Sequence, residues 1–183
     1  MKKAIFLSIL FFSMHEIQAQ VRYSTKTGKA WFDAGTGMED ITGTNKSVLS
    51  VFDPSTGKIQ FKITIKAFEF WSALLGEHFN ENYMESDKYP DSKFNGIVTN
   101  MDKVNISKDG IYPVNVKGKL TIHGVEKEIE TKGTFKVSGQ NIDASSEFIV
   151  AMEDYKIAIP SVVKDKLSKT AKVKINCNYS ILK

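Results

Sequence analysis

An all-β antiparallel domain, either a sandwich or a closed barrel, is the fold class this 183-residue sequence predicts. Three features predict it: repeated period-two alternation of apolar and polar residues, turn residues at short intervals, and one helical interruption. Alternation places every second side chain on the same face of a strand. Between Lys58 and Lys66 it is faultless, with Ile59, Phe61, Ile63 and Ile65 on one face and lysine, glutamine and threonine on the other. Ala171, Val173, Ile175, Cys177, Tyr179 and Ile181 repeat it near the end of the chain, which puts the lone cysteine on the buried face. Weaker versions run through Lys29 to Ala34, Ser47 to Asp53, Lys93 to Ser107, Tyr112 to Ile122, Lys127 to Val137 and Ile142 to Val150. Turn chemistry separates them: Thr42-Gly43-Thr44-Asn45, Pro54-Ser55-Thr56-Gly57, Asp109-Gly110, His123-Gly124 and Ser138-Gly139-Gln140-Asn141.

Phe68 to Ser86 breaks the alternation. Its apolar residues Trp71, Leu74, Leu75, Phe79 and Tyr83 recur at helical spacing, predicting a short helix near residues 70–83 with aromatic side chains turned inward. Such a helix serves either as a plug in the core or as a lid that touches a ligand. Glu77, Glu81 and Glu85 at spacing four mark its solvated face.

Composition bounds the rest. With 42% hydrophobic and 25% charged residues, 12 Gly, 4 Pro and 1 Cys, the chain fits one packed domain. A single cysteine excludes an intrachain disulfide framework and a cysteine-based zinc site. The net charge of +4 suggests nucleic acid, yet the basic residues are lysines except for Arg22, whereas bases and phosphates are most often read by guanidinium forks. No nucleic-acid partner is expected. Lys2 and Lys3, the apolar run Ala4 to Phe12 and Ala19 together read as a secretory signal peptide over residues 1–19, leaving 20–183 as the domain and a periplasmic or secreted product. The acidic stretch Glu77 to Asp91 contrasts with the lysine-rich stretch Lys156 to Lys183, which is either a solvated loop or a transient contact for a membrane surface.

Catalytic motifs are absent: no nucleophile elbow, no phosphate loop and no paired metal-ligating histidines. An enzyme is not expected, and no cofactor or metal is implied. The least favoured alternative is a lipid-ester hydrolase assembled around His78.

The run Glu77-His78-Phe79-Asn80-Glu81-Asn82-Tyr83-Met84-Glu85-Ser86, followed by Lys88-Tyr89-Pro90 and Phe94-Asn95-Gly96, resembles the central signature of the YceI-like family of exported lipid-binding proteins. A second stretch, Gly118-Lys119-Leu120-Thr121-Ile122-His123-Gly124-Val125-Glu126-Lys127, is similar to that family's G-x-L-T-I-x-G-V-x-K hairpin. The resemblance implies a lipocalin-like antiparallel eight-stranded β-barrel whose apolar lumen holds a polyisoprenoid or similar long-chain amphiphile. Alternation and the helix face then nominate the ligand contacts: Phe61, Ile63, Ile65, Phe68, Trp71, Leu75, Phe79, Tyr83, Phe94, Ile97 and Phe148. For each, the alternative is plain core packing, and for the whole barrel it is a filled interior that serves a stress or interaction role.

Overall fold

The structure is a computed structural model and describes residues 21–182; the signal peptide expected over 1–19 lies outside them. Nine strands follow in chain order: β1 (Tyr23–Gly35), β2 (Thr42–Asp53), β3 (Lys58–Thr64), β4 (Phe68–Glu69), β5 (Asp91–Val98), β6 (Gly110–Ile122), β7 (Val125–Ser138), β8 (Asn141–Ala151) and β9 (Leu167–Ile181). The eight long strands hydrogen-bond in the order β1-β9-β8-β7-β6-β5-β3-β2, and β2 returns to β1. The sheet is a closed, antiparallel, eight-stranded barrel, and the two-residue β4 adds to the end of β2. Of the two architectures that alternation allows, closure selects the barrel.

Every connection follows from its turn chemistry. β6 and β7 join through His123 and Gly124, both at positive φ (49° and 73°), as a type I′ hairpin requires. A side chain at Gly124 would strike the Tyr89 ring. The predicted strand Lys93 to Ser107 ends at Val98. Its second half forms a 3₁₀ turn at Met101–Lys103 and a loop whose Met101, Val104 and Ile106 pack on the core, so their alternation reflects capping of the barrel rather than a strand. The helical segment is an α-helix, α1 (Ala73–His78), continued by a π-helical turn at Phe79–Tyr83 in which Met84 N–H donates to the Phe79 carbonyl at 2.9 Å.

The barrel has two unlike ends. One carries the 54–57 and 139–140 turns, the 99–109 loop and both described chain ends; here the interior is full. Phe52, Ile142 and Tyr179 have no exposed surface, and Phe52 meets Phe135 edge-on at 5.0 Å, Tyr179 at 6.2 Å and Tyr23 at 6.4 Å. The Ser50 and Tyr179 hydroxyls in this plug are satisfied: Ser50 Oγ donates to the Gln60 carbonyl at 2.6 Å, leaving it to accept from the Tyr179 hydroxyl, also at 2.6 Å. Burial pushes the Tyr179 phenol far above its ordinary pKa, so the hydroxyl stays a donor. The other end carries the 36–41 loop, the helical segment, the His123-Gly124 turn and the 152–166 connection.

The full half should carry most of the stability. Phe52→Ala is expected to cost about 3–5 kcal/mol by urea unfolding, the range for emptying a close-packed aromatic site. Phe148→Ala, at a half-buried position in the other half, should cost less than half of that.

Candidate functional site

Below the helical segment the barrel is hollow. A cavity of about 220 Å³ lies between the aromatic plug and the lid, lined by inward-facing side chains of the long strands together with Phe68, Phe70, Leu75, Phe79, Tyr83 and Met84 of the 65–90 connection. Its polar lining comes from Tyr83, Ser92, Thr131, Ser145 and Ser146, and no lining residue among those described is charged. Burial pushes the Tyr83 phenol up, which keeps that group neutral as well. A site of this chemistry stays dry when empty and accepts apolar chains, not ions.

Nine of the eleven sequence-nominated contacts line this cavity: Phe61, Ile63, Ile65, Phe68, Leu75, Phe79, Tyr83, Phe94 and Phe148. Trp71 and Ile97 do not. Ile97 is three residues from the inward-facing Phe94, an odd step in a strand, so it faces solvent at 42% exposure while Val98 is buried. Trp71 precedes α1 rather than lying within it. Its indole N–H donates outward to the Asp40 carbonyl at 3.0 Å, and the ring is exposed. Glu85 also departs from the expected solvated helix face. It lies beyond the helical turns at φ 42°, and its carboxylate is 2.7 Å from His123 Nε2.

The lid is held by aromatic packing beneath and polar ties at its edges. Phe79 stacks on Phe32 at 5.3 Å with an interplanar angle of 17°, and lies 5.4 Å from Phe68 and 4.9 Å from Phe70. Gly43 leaves room for two of these rings, since a Cβ there would press on Phe32 and Phe70. At the opposite edge His123 joins three segments, with Nε2 on Glu85 and Nδ1 3.1 Å from the Tyr155 carbonyl. Tyr89 meets the same imidazole edge-on at 4.6 Å. At the mouth Asn45, fully buried, donates to the Thr64 carbonyl at 2.9 Å and extends the β2–β3 contact beyond its ladder.

One seam in the wall is only half closed. The β7–β8 ladder runs from Ser138↔Asn141 to Gly133↔Ser146 and stops. Ser146 Oγ donates to the Lys132 carbonyl at 2.8 Å, capping the ladder where the next pair would begin. Beyond it the rest of β7 pairs with β6 and the rest of β8 with β9, and the edges Ile129, Thr131, Phe148 and Val150 all line the cavity.

Neither described histidine of the domain lines the cavity. His78 stands exposed on α1 with Asn82 Nδ2 2.9 Å from its Nδ1, and His123 is committed to the lid tie. Among the described residues no group of three or more His, Cys, Asp or Glu is placed to hold a metal ion.

Residues 17–179 match the YceI-like domain. The chain belongs to the YceI-like family. Among solved structures, a polyisoprenoid-binding domain from Saccharophagus degradans superposes with a TM-score of 0.75 at 16% identity, over 87% of this chain and 98% of that one. Burkholderia cenocepacia BcnA follows with a TM-score of 0.68 at 15% identity, over 84% and 96% of the two chains. At these identities the likeness speaks for the fold. A UPF0312 protein of Pseudomonas fluorescens is 28% identical over 111 residues, which are 57% of this chain and 55% of the relative, so the match spans about half the relative's length.

Sequence reasoning missed part of this YceI-like cavity. Phe32 and Phe70, which frame the lid, were not nominated, although Phe32 shares the parity of the buried Ala30 and Ala34. From the four C-terminal strands only Phe148 was nominated, whereas Leu120, Ile129, Val150, Val173 and Ile175 also face the cavity. The same alternation that revealed Phe61 and Ile63 marks them.

Cys177 also lines the cavity, and burial pushes its thiol up to about 12 from an ordinary 9.0. Two outcomes follow. At pH 8 the folded protein should leave Ellman's reagent unreacted, with full labelling only in urea. Because the folded-state pKa is raised, the stability tied to this thiol is complete below pH 9 and drains away as pH climbs from 9 towards 12. Wild type should lose on the order of 1 kcal/mol by pH 10 that Cys177→Ala does not lose, measured by urea unfolding across pH.

Proposed function

We propose that this chain is an exported, non-enzymatic carrier that holds the apolar tail of a polyisoprenoid or similar long-chain amphiphile in the half-hollow barrel. The observation that carries the reading is the cavity itself: buried, roofed by an aromatic lid, and lined without a charged side chain. The polyisoprenoid-binding domain of Saccharophagus degradans, which shares the fold, supports the ligand class. The basic, apolar and small-residue succession at the amino terminus supports export.

Burial of hydrocarbon supplies the driving force: each carbon taken out of water gains about 0.8 kcal/mol, against a cost of at least about 4 kcal/mol for lost translational and rotational freedom. An ionised head finds no partner inside, so the head of the ligand stays at the mouth or is uncharged. Carriage also requires no activated nucleophile and no metal.

Native mass spectrometry of the protein purified without detergent, followed by solvent extraction, tests the reading. The expected result is a stoichiometric long-chain amphiphile. Ile63→Trp, which fills the lumen from β3, should lower affinity for a polyprenyl alcohol by at least ~10-fold while far-ultraviolet circular dichroism is unchanged. A protein that stays bare after incubation with polyprenyl alcohols, isoprenoid quinones and fatty acids overturns it.

A further inference from the structure

We propose that the lid end of the barrel is a membrane-docking surface, in which Met38, Trp71, Leu74 and Val162 enter the interfacial region of a lipid bilayer and set the cavity mouth against it. The inference rests on the reading of the cavity as a lipid site and adds where the lipid is exchanged.

Four large apolar side chains stand out at this end: Met38 is 77% exposed, Trp71 66%, Leu74 59% and Val162 88%. They sit on three separate connections that hydrogen bonds bind into one rim. Trp71 donates to the Asp40 carbonyl, tying the start of the lid to the 36–41 loop. That loop is tied in turn to the 152–166 connection, through Thr36 N–H on the Lys166 carbonyl at 3.1 Å and the Lys166–Glu39 ion pair at 2.9 Å. Isolated surface apolar residues such as Ile111 and Ile149 need no explanation, but four on adjoining connections at one end, the two most exposed of all among them, do.

The rim is continuous with the cavity. In each of two connections, neighbouring residues face opposite ways. Phe70 and Leu75 line the cavity while Trp71 and Leu74 face solvent. Val163 packs into the small cluster with Phe32, Ile41 and Tyr83 while Val162 points away from it. Exposed apolar residues of the rim thus adjoin cavity-lining ones in the chain, beside the solvated face of Glu77 and Glu81, so a hydrocarbon chain leaving the cavity meets apolar side chains at its edge. Trp71 suits this role chemically. Its one donor is already satisfied by Asp40, so the ring enters an apolar phase without stranding an N–H.

Charge plays a secondary part. Lys156, Lys164 and Lys169 make no ion pair among the described residues, but Asp40 and Asp165 lie on the same loops and Glu77 and Glu81 on the adjacent helix. Apolar insertion, not a basic patch, is the attraction, and docking should depend only weakly on salt.

The chain has two tryptophans, so Trp31→Phe makes Trp71 the only reporter. Adding phosphatidylcholine–phosphatidylglycerol vesicles should move its emission to the blue, and brominated acyl chains should quench it. In vesicle sedimentation, the triple variant Met38→Ser, Leu74→Ser, Val162→Ser should partition roughly 100-fold less than wild type. The same variant should bind a polyprenyl alcohol supplied in ethanol normally. Ile63→Trp, with its lumen filled, should still sediment as wild type does, which separates docking from lipid uptake. Unmoved Trp71 emission overturns the proposal. So does loss of sedimentation in Ile63→Trp, sedimentation abolished by salt yet indifferent to the serine substitutions, or a rim-dependent dimer without vesicles.

Discussion

What fills the interior of the closed eight-stranded barrel decides everything else in this molecule. At one end aromatic side chains meet: Phe52 touches Phe135 and Tyr179 across the interior and Tyr23 on the neighbouring strand. At the other end Ala30, Ala34, Ala144 and Gly133 interrupt the larger Phe61, Phe94 and Phe148, and space is left between them. One barrel therefore has a solid core in one half and a cavity in the other. Stability and binding are assigned to different lengths of the same strands.

Alternation made most of this readable from the residues. In β3 and β9 the parity of each side chain is unambiguous, and inward positions such as Phe61, Ile63 and Cys177 lie inside. Where the reading missed, the cause is specific. Ile97 lies out of parity with the buried Phe94 and Val98, and Trp71 precedes the helical period, which begins only at Ala73. Val104 and Ile106 alternate in a loop because a loop that caps a barrel also needs inward apolar residues. Closure and cavity were less legible, for a different reason. Parity says that a side chain points inward, but whether the opposite wall meets it depends on register and on residues a hundred positions away.

The polar ties that hold the hollow half together sit at its edges. Glu85, His123 and the Tyr155 carbonyl form a clasp joining the lid, a hairpin and the 152–166 connection. Asn45 and Ser146 perform equivalent tasks in the wall, each supplying a side-chain hydrogen bond where a backbone ladder ends. Such substitutions let strands diverge without leaving carbonyls unpaired, and so the mouth and the β7–β8 seam depart from a regular sheet at little cost.

The pairing of β1 with both β2 and β9 sets an order of events. Tyr23 lies opposite Phe52 on one side and Ile181 on the other, so the contact that shuts the barrel joins residues at opposite extremes of the chain. Its loop-closure entropy is the largest in the molecule, and it forms late. Until then β1 and β9 are open sheet edges, and Phe52 and Tyr179 stand apart at the two ends of the sheet. Closure of the barrel and completion of its aromatic plug are therefore a single event.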